Sequence, residues 1–376
     1  MKKQIWIPIL VVVVIVAGFL IFSSQKPDQP QEAQEKEVIK IGAILPLTGK
    51  GASQGAEMQN GIRLAEEKIN SAEKIVEIIY EDEKCDPKEA VSAYQALRLK
   101  EVKFIIGAAC SPSTLAIAPL AEKDKVVLIT PGSSADDISQ AGDFIFRNQV
   151  LVSQKEKKLA DITVKKFNSL ATIYDQTNDA RILGEKVVVD IFRTSGKNVL
   201  AREGFGKNAV DFKTEIQKIK QKNPEVIFIS AQTSQVTTIL KQMKELKISS
   251  QVILEEGVAT DPVFLEVAGN LADGIIFSGT DFSRKINPEF WDLYNNKFGK
   301  NPNIYAGQSY DCLMILANII KEKCKTGDSV CVKDELYKVK NYPGVSGLTT
   351  FDENGDVIKP IVIKVIKNGQ FVPYEE

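Results

Sequence analysis

Short apolar runs alternate with longer amphipathic runs along most of this 376-residue chain, and this alternation restricts it to few folds. The apolar runs are IKIGAIL, IVEIIY, KFIIG and VVLIT, followed by LATIYD, NVLAREG, EVIFIS, QVILEE and GIIFSG. Strands covered on both faces of a parallel sheet have this appearance. The segments between them carry apolar residues at helical spacing, for example Met58, Ile62, Ala65 and Ile69. The pattern predicts an α/β fold.

Local signals mark where helices begin and where the chain turns. Asp86, Asp261 and Asn287 each precede a proline, which combines an N-cap with a residue suited to the first helical position. The pairs at 354–355 and 368–369 are both Asn-Gly between apolar runs, which predicts hairpin turns. A late helix is expected over residues 305–323.

The cysteines predict an oxidising compartment. Cys85 and Cys110 each follow an apolar run, so two strand ends of one α/β unit would bring their thiols close enough to bridge. Such a bridge contributes roughly 3 to 4 kcal/mol in the chain-entropy model and persists only outside reducing compartments. Cys324 and Cys331 are spaced for a local bridge. Cys312 is then unpaired, and we interpret it as a small buried apolar residue.

The N-terminus predicts a membrane segment. Residues 5–22 are apolar or small and uncharged after a basic start, which is long enough to cross a bilayer. Because Ile21 and Phe22 occupy the place of a small-residue cleavage site, we favour an anchor over residues 1–22 to a cleaved signal peptide. Residues 23–37 lack aromatic and branched side chains and are expected to form a disordered tether.

Size, charge and composition narrow the function. Residues 38–376 exceed the size at which one core usually stops growing, so two domains are expected. The net charge is −1, which gives no electrostatic footprint for nucleic acid. Histidine is absent, and this removes the commonest general base and neutral metal ligand. This favours a non-enzymatic protein without excluding an enzyme, and we expect no cofactor or metal.

A glycine-rich loop over residues 49–55 offers an alternative. It follows the first strand and leads into a helix, and Asp82 lies near the end of the second strand, where an acid could meet a ribose. An NAD-dependent oxidoreductase is therefore an alternative. The glycine spacing is one residue too long for the common fingerprint. A turn lining a cleft at the carboxyl edge of the sheet is the favoured interpretation.

Polar groups at other strand ends suggest a small-molecule site. Ser111 follows a strand and begins a helix, and the amides and hydroxyls of Gly132, Ser133 and Ser134 follow the next strand. Helix N-termini attract carboxylates, and adjacent strand ends of a parallel sheet face one crevice. At the edge of the second sheet, Glu255 or Glu256 would suit a ligand ammonium, and spacing alone does not choose between them.

Several segments together resemble the branched-chain amino-acid (Leu/Ile/Val) binding proteins of ABC transporters: IKIGAILPLTGKGASQGAEMQNGIRLAEEKIN, DEKCDPKEA, IIGAACSPST, ITPGSS and LEEGVATDPVF. The resemblance implies the type I periplasmic-binding-protein fold, with two Rossmann-like lobes joined by three crossovers and a ligand enclosed as the hinge closes. Lobe 1 is expected over residues 38–151 and 281–357. Lobe 2 is expected over residues 152–280 and 358–376.

The resemblance also implies roles for individual residues. Ser111 and Ser134 would bind the ligand's α-carboxylate, while the carbonyl of Gly132 and the carboxylate of Glu256 would bind the ammonium. This implication selects Glu256 over Glu255. The family's bridge between strand ends likewise falls on Cys85 and Cys110.

Departures from the family pattern concern specificity. Gln54 and Gln232 stand where the branched-chain binders place aromatic rings, and the loop YDQTNDARILGEK lacks a tyrosine often found there. Tyr310 is kept and is expected to line the pocket. A polar amino acid is therefore the favoured ligand, with an amide, a urea-like compound or a small carboxylate as alternatives.

The predicted function is a monomeric extracytoplasmic receptor, tethered to the cytoplasmic membrane, that delivers this ligand to an ABC permease. A sensor ectodomain acting with a signalling partner is the alternative, because the same fold serves signalling receptors.

Overall fold

The computed structural model describes residues 38–324 and 327–375, whose strands form two large sheets and one small one. The first sheet contains β1 (Ile39–Leu45), β2 (Val76–Asp82), β3 (Phe104–Ile106), β4 (Val127–Thr130) and β5 (Ile145–Arg147). The second contains β6 (Ser169–Asp175), β7 (Asn198–Phe205), β8 (Val226–Ser230), β9 (Gln251–Glu255), β10 (Ile276–Thr280), β14 (Ile361–Lys367) and β15 (Gln370–Pro373). The small sheet contains β11 (Tyr342–Gly344), β12 (Gly347–Phe351) and β13 (Val357–Ile358).

The two large sheets are mainly parallel. The first has the order β2-β1-β3-β4-β5, and all its neighbours are parallel. The second has the order β15-β14-β10-β9-β8-β6-β7, in which β14 pairs antiparallel with both β10 and β15. Every apolar run predicted to be a strand is one. The short β5 was not predicted.

Helices cover the sheets. They are α1 (Ala52–Ile69), α2 (Pro87–Leu99), α3 (Ser111–Asp124), α4 (Val152–Lys166), α5 (Asp179–Thr194), α6 (Lys213–Lys222), α7 (Thr233–Glu245), α8 (Glu256–Ala259), α9 (Pro262–Ala268), α10 (Pro288–Phe298), α11 (Ile304–Glu322) and α12 (Ser329–Leu336). The predicted caps form: Asp86 Oδ1 accepts from Lys88 N at 3.0 Å, Asp261 Oδ1 from Val263 N at 2.9 Å and Asn287 Oδ1 from Phe290 N at 3.1 Å. The two Asn-Gly pairs connect β12 to β13 and β14 to β15 as expected.

The chain passes between the two large sheets three times: after β5, after β10 and after β13. Helices α1 and α11 pack together over the first sheet and supply much of its apolar core. A separate core lies between the second sheet and α7 and α9. Buried amides join the crossover segments, since Asn148 Nδ2 donates to Gln308 O at 3.1 Å and Gln308 Nε2 donates to Gln149 Oε1 at 3.2 Å.

Both predicted disulfides are present. Cys85 is bonded to Cys110, and Cys324 is bonded to Cys331. Cys312 is free and fully buried, and burial raises the pKa of its thiol well above the ordinary range, so it remains a neutral apolar group. Among residues 38–324 and 327–375, no helix has the length and hydropathy needed to span a bilayer. The anchor predicted for residues 1–22 and the tether predicted for residues 23–37 lie outside the described residues.

Candidate functional site

The carboxyl end of the first sheet brings Ser111 and Ser134 together. Ser111 is the first residue of α3, which begins where β3 has ended, and its side chain is buried. Its Oγ accepts hydrogen bonds from the backbone N of Ser134 and of Ala135, both at 3.2 Å. The two predicted carboxylate-binding serines therefore lie side by side.

Gly132 shapes the turn that carries Ser134. A Cβ at this position would lie 2.6 Å from Met58 Cε and 2.8 Å from the carbonyl oxygen of Ala109, so a side chain does not fit. The turn is also tied to the next helix, because Val152 N at the start of α4 donates to Ser134 O at 2.8 Å. A rigid chain of contacts thus leads from Ser111 through the turn to α4.

Glu256 begins the short helix α8 directly after β9, and its side chain is 2% exposed. Its Oε1 accepts from Thr280 N at 2.6 Å and from Thr280 Oγ1 at 3.2 Å. Its Oε2 is buried and accepts no hydrogen bond from the described residues, and it lies 3.6 Å from Nζ of Lys155 on α4. Glu256 therefore keeps one oxygen free for a donor.

Both carboxylate oxygens of the neighbouring Glu255 already have partners. Its carboxylate forms an ion pair with Arg181 of α5 and accepts a hydrogen bond from Ser230 Oγ. Glu255 thus differs from Glu256, whose Oε2 accepts no hydrogen bond within the described residues and has only the Lys155 ammonium, 3.6 Å away, beside it.

The two predicted glutamines lie on the two sides of the gap between the sheets. Gln54, near the start of α1, is buried, and its Nε2 has no hydrogen-bond partner in the described part of the chain. Gln232 immediately precedes α7, and its backbone N donates to Gln235 Oε1 at 3.2 Å. The free amide of Gln54 is therefore available to a polar ligand.

Tyr310 is not among the residues brought together. It lies in the core of the first sheet, with its ring centroid 5.1 Å from that of Phe290 and its hydroxyl interacting with Lys68. Tyr305, one and a half turns earlier on α11, instead places its hydroxyl against Gly257, where a Cβ would overlap it. Burial raises the Tyr305 pKa to about 12, with Arg181 lowering it and Glu256 raising it, so its phenol is neutral. Sequence analysis missed Tyr305.

Lys155 and Arg181 were missed as well. Both lie on helices of the second sheet and are at least nine-tenths buried, although charged residues on amphipathic helices normally face solvent. Burial lowers the pKa of the Arg181 guanidinium, while Tyr305, Asp175 and Glu156 raise it. No sequence signal distinguished them from the exposed lysines and arginines around them.

The carboxyl ends of the two sheets face and contact each other. Ser53 Oγ, after β1, donates to Asp261 Oδ1 at 2.9 Å, and Asp261 also accepts from Thr233 Oγ1 at 2.8 Å. Nearer the surface, Lys207 Nζ lies 3.2 Å from Asp86 Oδ2. These contacts join segments that follow strands of different sheets, so the carboxyl ends of the two sheets border one gap.

The glycine loop that suggested NAD binding has a structural explanation. Asp82 Oδ1 accepts from Leu47 N at 2.9 Å and Asp82 Oδ2 from Thr48 Oγ1 at 2.5 Å. The acid therefore braces the loop after β1 and is not available to a ribose.

Two α/β units that turn polar groups at the carboxyl ends of their sheets toward one gap define a receptor for a small solute. The profile of the periplasmic binding protein family matches residues 38–370, and the chain belongs to that family. It is a family of binding proteins, which confirms the expectation of a receptor, not an enzyme. The chain is accordingly an extracytoplasmic solute-binding component of an ABC transporter.

Relatives agree with this assignment. The chain is 25% identical over 351 residues to the leucine-, isoleucine-, valine-, threonine- and alanine-binding protein of Pseudomonas aeruginosa, covering 90% of each chain. A leucine-binding protein of Thermotoga maritima has a TM-score of 0.82 and 27% identity, with 90% of this chain and 98% of that chain covered. A branched-chain amino acid transporter substrate-binding protein of Streptococcus pneumoniae, in complex with isoleucine, has a TM-score of 0.80 and 26% identity, with 89% and 98% covered.

Proposed function

We propose that the protein captures a free amino acid in the gap between its two sheets and delivers it to an ABC permease. The observation that carries this proposal is the pairing of two complementary polar sites. One sheet offers the hydroxyls and amides around Ser111 and Ser134, and the other offers the open carboxylate oxygen of Glu256. An α-amino acid carries a carboxylate and an ammonium that these groups can satisfy.

The residue roles follow from this arrangement. Ser111 and Ser134 bind the α-carboxylate, and the carbonyl of Gly132 and the carboxylate of Glu256 bind the ammonium. Gln54 and Gln232 face the side chain of the amino acid, and the free Nε2 of Gln54 favours a polar one. Tyr305 lines the pocket wall, while Tyr310 supports it through packing.

The domain boundaries predicted from the sequence complete the proposal. Residues 38–151 with 281–357 form lobe 1, and residues 152–280 with 358–376 form lobe 2. Each range contains one of the two large sheets, the first two crossovers lie at the boundaries 151/152 and 280/281, and the third boundary falls within β13 (Val357–Ile358). The receptor acts as a monomer that closes about the crossover segments.

The N-terminal residues give the proposed location. Residues 1–22 anchor the receptor in the cytoplasmic membrane, and residues 23–37 tether it to the outer surface. The proposal is supported by the uncharged apolar stretch over residues 5–22 and by the polar composition that follows it.

A thermal-shift screen followed by calorimetry tests the function. Residues 38–376 are screened against the common amino acids, and one or a few should raise the melting temperature in a saturable way. Glu256→Gln keeps an acceptor for Thr280 but removes the charge that faces the ammonium. Because a buried ammonium then loses its charged partner, affinity should fall by about 2 to 5 kcal/mol.

The matched control is Glu266→Gln, which removes an exposed carboxylate from α9 and should leave affinity unchanged. Absence of a thermal shift with every amino acid would contradict the proposed ligand class. Binding that Glu256→Gln leaves intact would contradict the assigned ammonium site.

A further inference from the structure

Five charged side chains form a cluster beside the proposed ammonium site. They come from neighbouring elements of the second sheet: Lys155 and Glu156 from α4, Arg181 from α5, and Glu255 and Glu256 from the end of β9 and the start of α8. Glu156 is 1% exposed, and none of the five is an exposed residue. Charges this deeply buried must be balanced locally, because water does not solvate them.

The cluster contains three carboxyl groups and two cations. Arg181 pairs with Glu255, and Lys155 Nζ lies 3.6 Å from Glu256 Oε2. Neither carboxyl oxygen of Glu156 has a hydrogen-bond partner among the described residues. Glu156 is therefore the carboxyl group that has no cation of its own.

The two cations that act on Glu156, Lys155 and Arg181, are each paired with another carboxylate. The charged groups that act on it are Lys155, Arg181 and Glu256. Gly184 of α5 brings that helix close, since a Cβ there would lie 3.3 Å from Glu156 Cγ and 3.9 Å from Glu255 Oε1. Burial raises the pKa of Glu156 to about 8, and Glu256 adds to the rise, while Lys155 and Arg181 oppose it.

Other titratable groups on the packed elements have partners elsewhere. Glu185 of α5 pairs with Arg202 at 2.6 Å, and Lys364 of β14 donates to Thr280 O at 3.3 Å. Tyr305 of α11 and Asp175 of β6 act on Arg181. The residues of β10 are uncharged. Lys359, on the third crossover, is also influenced by Glu256 and is held by Ser346 and Asp311. The charge balance around Glu156 thus depends mainly on the five clustered groups, on Asp175 beside Arg181 and on whatever binds Glu256.

We propose that Glu156 holds a proton in the empty receptor and releases it when a ligand ammonium binds to Glu256. The bound ammonium adds a third cation to the cluster, and an ionised Glu156 then gives three positive and three negative charges. Glu156 acts as a positioning residue, because its ionised carboxylate lets Lys155 and the ammonium share Glu256 without an excess positive charge. This inference rests on the proposed function and extends it to the linkage between binding and protons.

Calorimetry in several buffers measures this linkage. Residues 38–376 are titrated at pH 7 in phosphate and in Tris, which differ in ionisation enthalpy, with the amino acid that gives the largest thermal shift. L-isoleucine and L-glutamine are titrated alongside it, because they share the zwitterionic backbone and differ in side chain. The buffer dependence of the observed enthalpy should correspond to release of up to about one proton for each molecule bound.

Affinity should also depend on pH in a defined direction. Because binding releases a proton, affinity should rise between pH 6 and pH 8, by at most about tenfold per pH unit. The chain has no histidine to add a proton change in this range. Glu83 and Lys359 also have pKa values of about 7 and about 8, so a variant is needed to assign the proton.

Glu156→Gln makes that assignment. It preserves shape but cannot ionise, so the released proton should disappear and affinity should become nearly constant from pH 6 to pH 8. Asp161→Asn, which removes an exposed carboxylate from the same helix, should behave like the unmodified chain.

An amino acid that binds the unmodified chain with no proton release overturns this inference and leaves the proposed function standing. Proton release that persists in Glu156→Gln overturns it equally. Absence of binding by any amino acid refutes both the proposed function and the inference.

Discussion

At the scale of single residues, Glu83 gives a prediction that concerns stability and not binding. Its carboxyl is fully buried behind the disulfide, with Oε1 accepting from Ala109 N at 2.7 Å and from Cys110 N at 3.2 Å. Burial raises its pKa to about 7, and the hydrogen bonds from the two amides oppose the rise. The folded chain therefore binds a proton at this site more tightly than the unfolded chain does.

The sign of the effect on stability follows from linkage. The stabilisation from protonated Glu83 is fully present below the unfolded pKa of about 4.5, and it is lost as pH rises through about 7. The loss is at most about 3 kcal/mol. Denaturant unfolding between pH 4.5 and pH 8 should show this loss of unfolding free energy in the unmodified chain and not in Glu83→Gln. Exposed Glu353→Gln is the control, and parallel pH profiles for all three proteins would contradict the prediction.

Single residues also show how much of the proposed site could be predicted from the sequence alone. Ser111, Ser134 and Glu256 were predicted because each follows a strand end, which is a position that the backbone fixes. Tyr305 and Lys155 were not predicted, because their contacts with Gly257 and Glu256 join residues far apart in the chain. Such contacts depend on how the two sheets approach each other, and local patterns do not encode that approach.

At the scale of secondary-structure elements, the packing of α1 on α11 depends on Gly61. A Cβ at Gly61 would overlap the carbonyl oxygen of Ala306, which is backbone and cannot rotate away. In an isolated helix Gly→Ala stabilises by roughly 1 kcal/mol. Forcing the two helices apart typically costs 1 to 3 kcal/mol. The overpacking should therefore outweigh the gain in helix propensity, and the substitution should destabilise the folded chain.

Thermal or denaturant unfolding of Gly61→Ala should therefore show a net destabilisation. Gly206→Ala is the matched control, because a Cβ there has nothing within 4 Å. A Gly61→Ala protein as stable as the control would mean that α1 and α11 shift apart at little cost.

Helices and strands could be predicted where their burial requires a regular pattern of apolar residues in the sequence. The longer strands are apolar on both faces, so they were recognised as strands of a parallel sheet, and Asp86, Asp261 and Asn287 marked helix starts through their caps. The three-residue β5 and the four-residue α8 are too short for any periodicity. Their positions are set by neighbouring strands, which act only in the folded chain.

At the scale of the whole molecule, function requires that the two sheets contribute to one gap and still separate. Lys359, on the third crossover, donates to Ser346 Oγ at 2.7 Å, and Gln308 is hydrogen-bonded to the first crossover. These buried bonds tie the third crossover to the turn between β11 and β12, and the first crossover to α11. Contacts across the gap itself include polar ones, Ser53 with Asp261 and Lys207 with Asp86, which suit a closure that must be reversible.

Ser53 provides the sharpest test of that closure. Its Oγ donates to Asp261 across the gap. The other hydroxyl that donates to the Asp261 carboxylate is that of Thr233, which lies on the same side of the gap as Asp261. Replacing Asp261 would also remove the cap of α9, so Ser53→Ala isolates the contact between the sheets. Because the bond joins the two sheets across the gap, its loss should weaken amino-acid binding by about 0.5 to 1.5 kcal/mol. The melting temperature without ligand should stay close to that of the unmodified chain.

Ser92→Ala, whose hydroxyl bonds only within its own helix, is the control, and calorimetry on the three proteins gives the comparison. Equal affinities for Ser53→Ala and Ser92→Ala would mean that this contact does not contribute to the closed form.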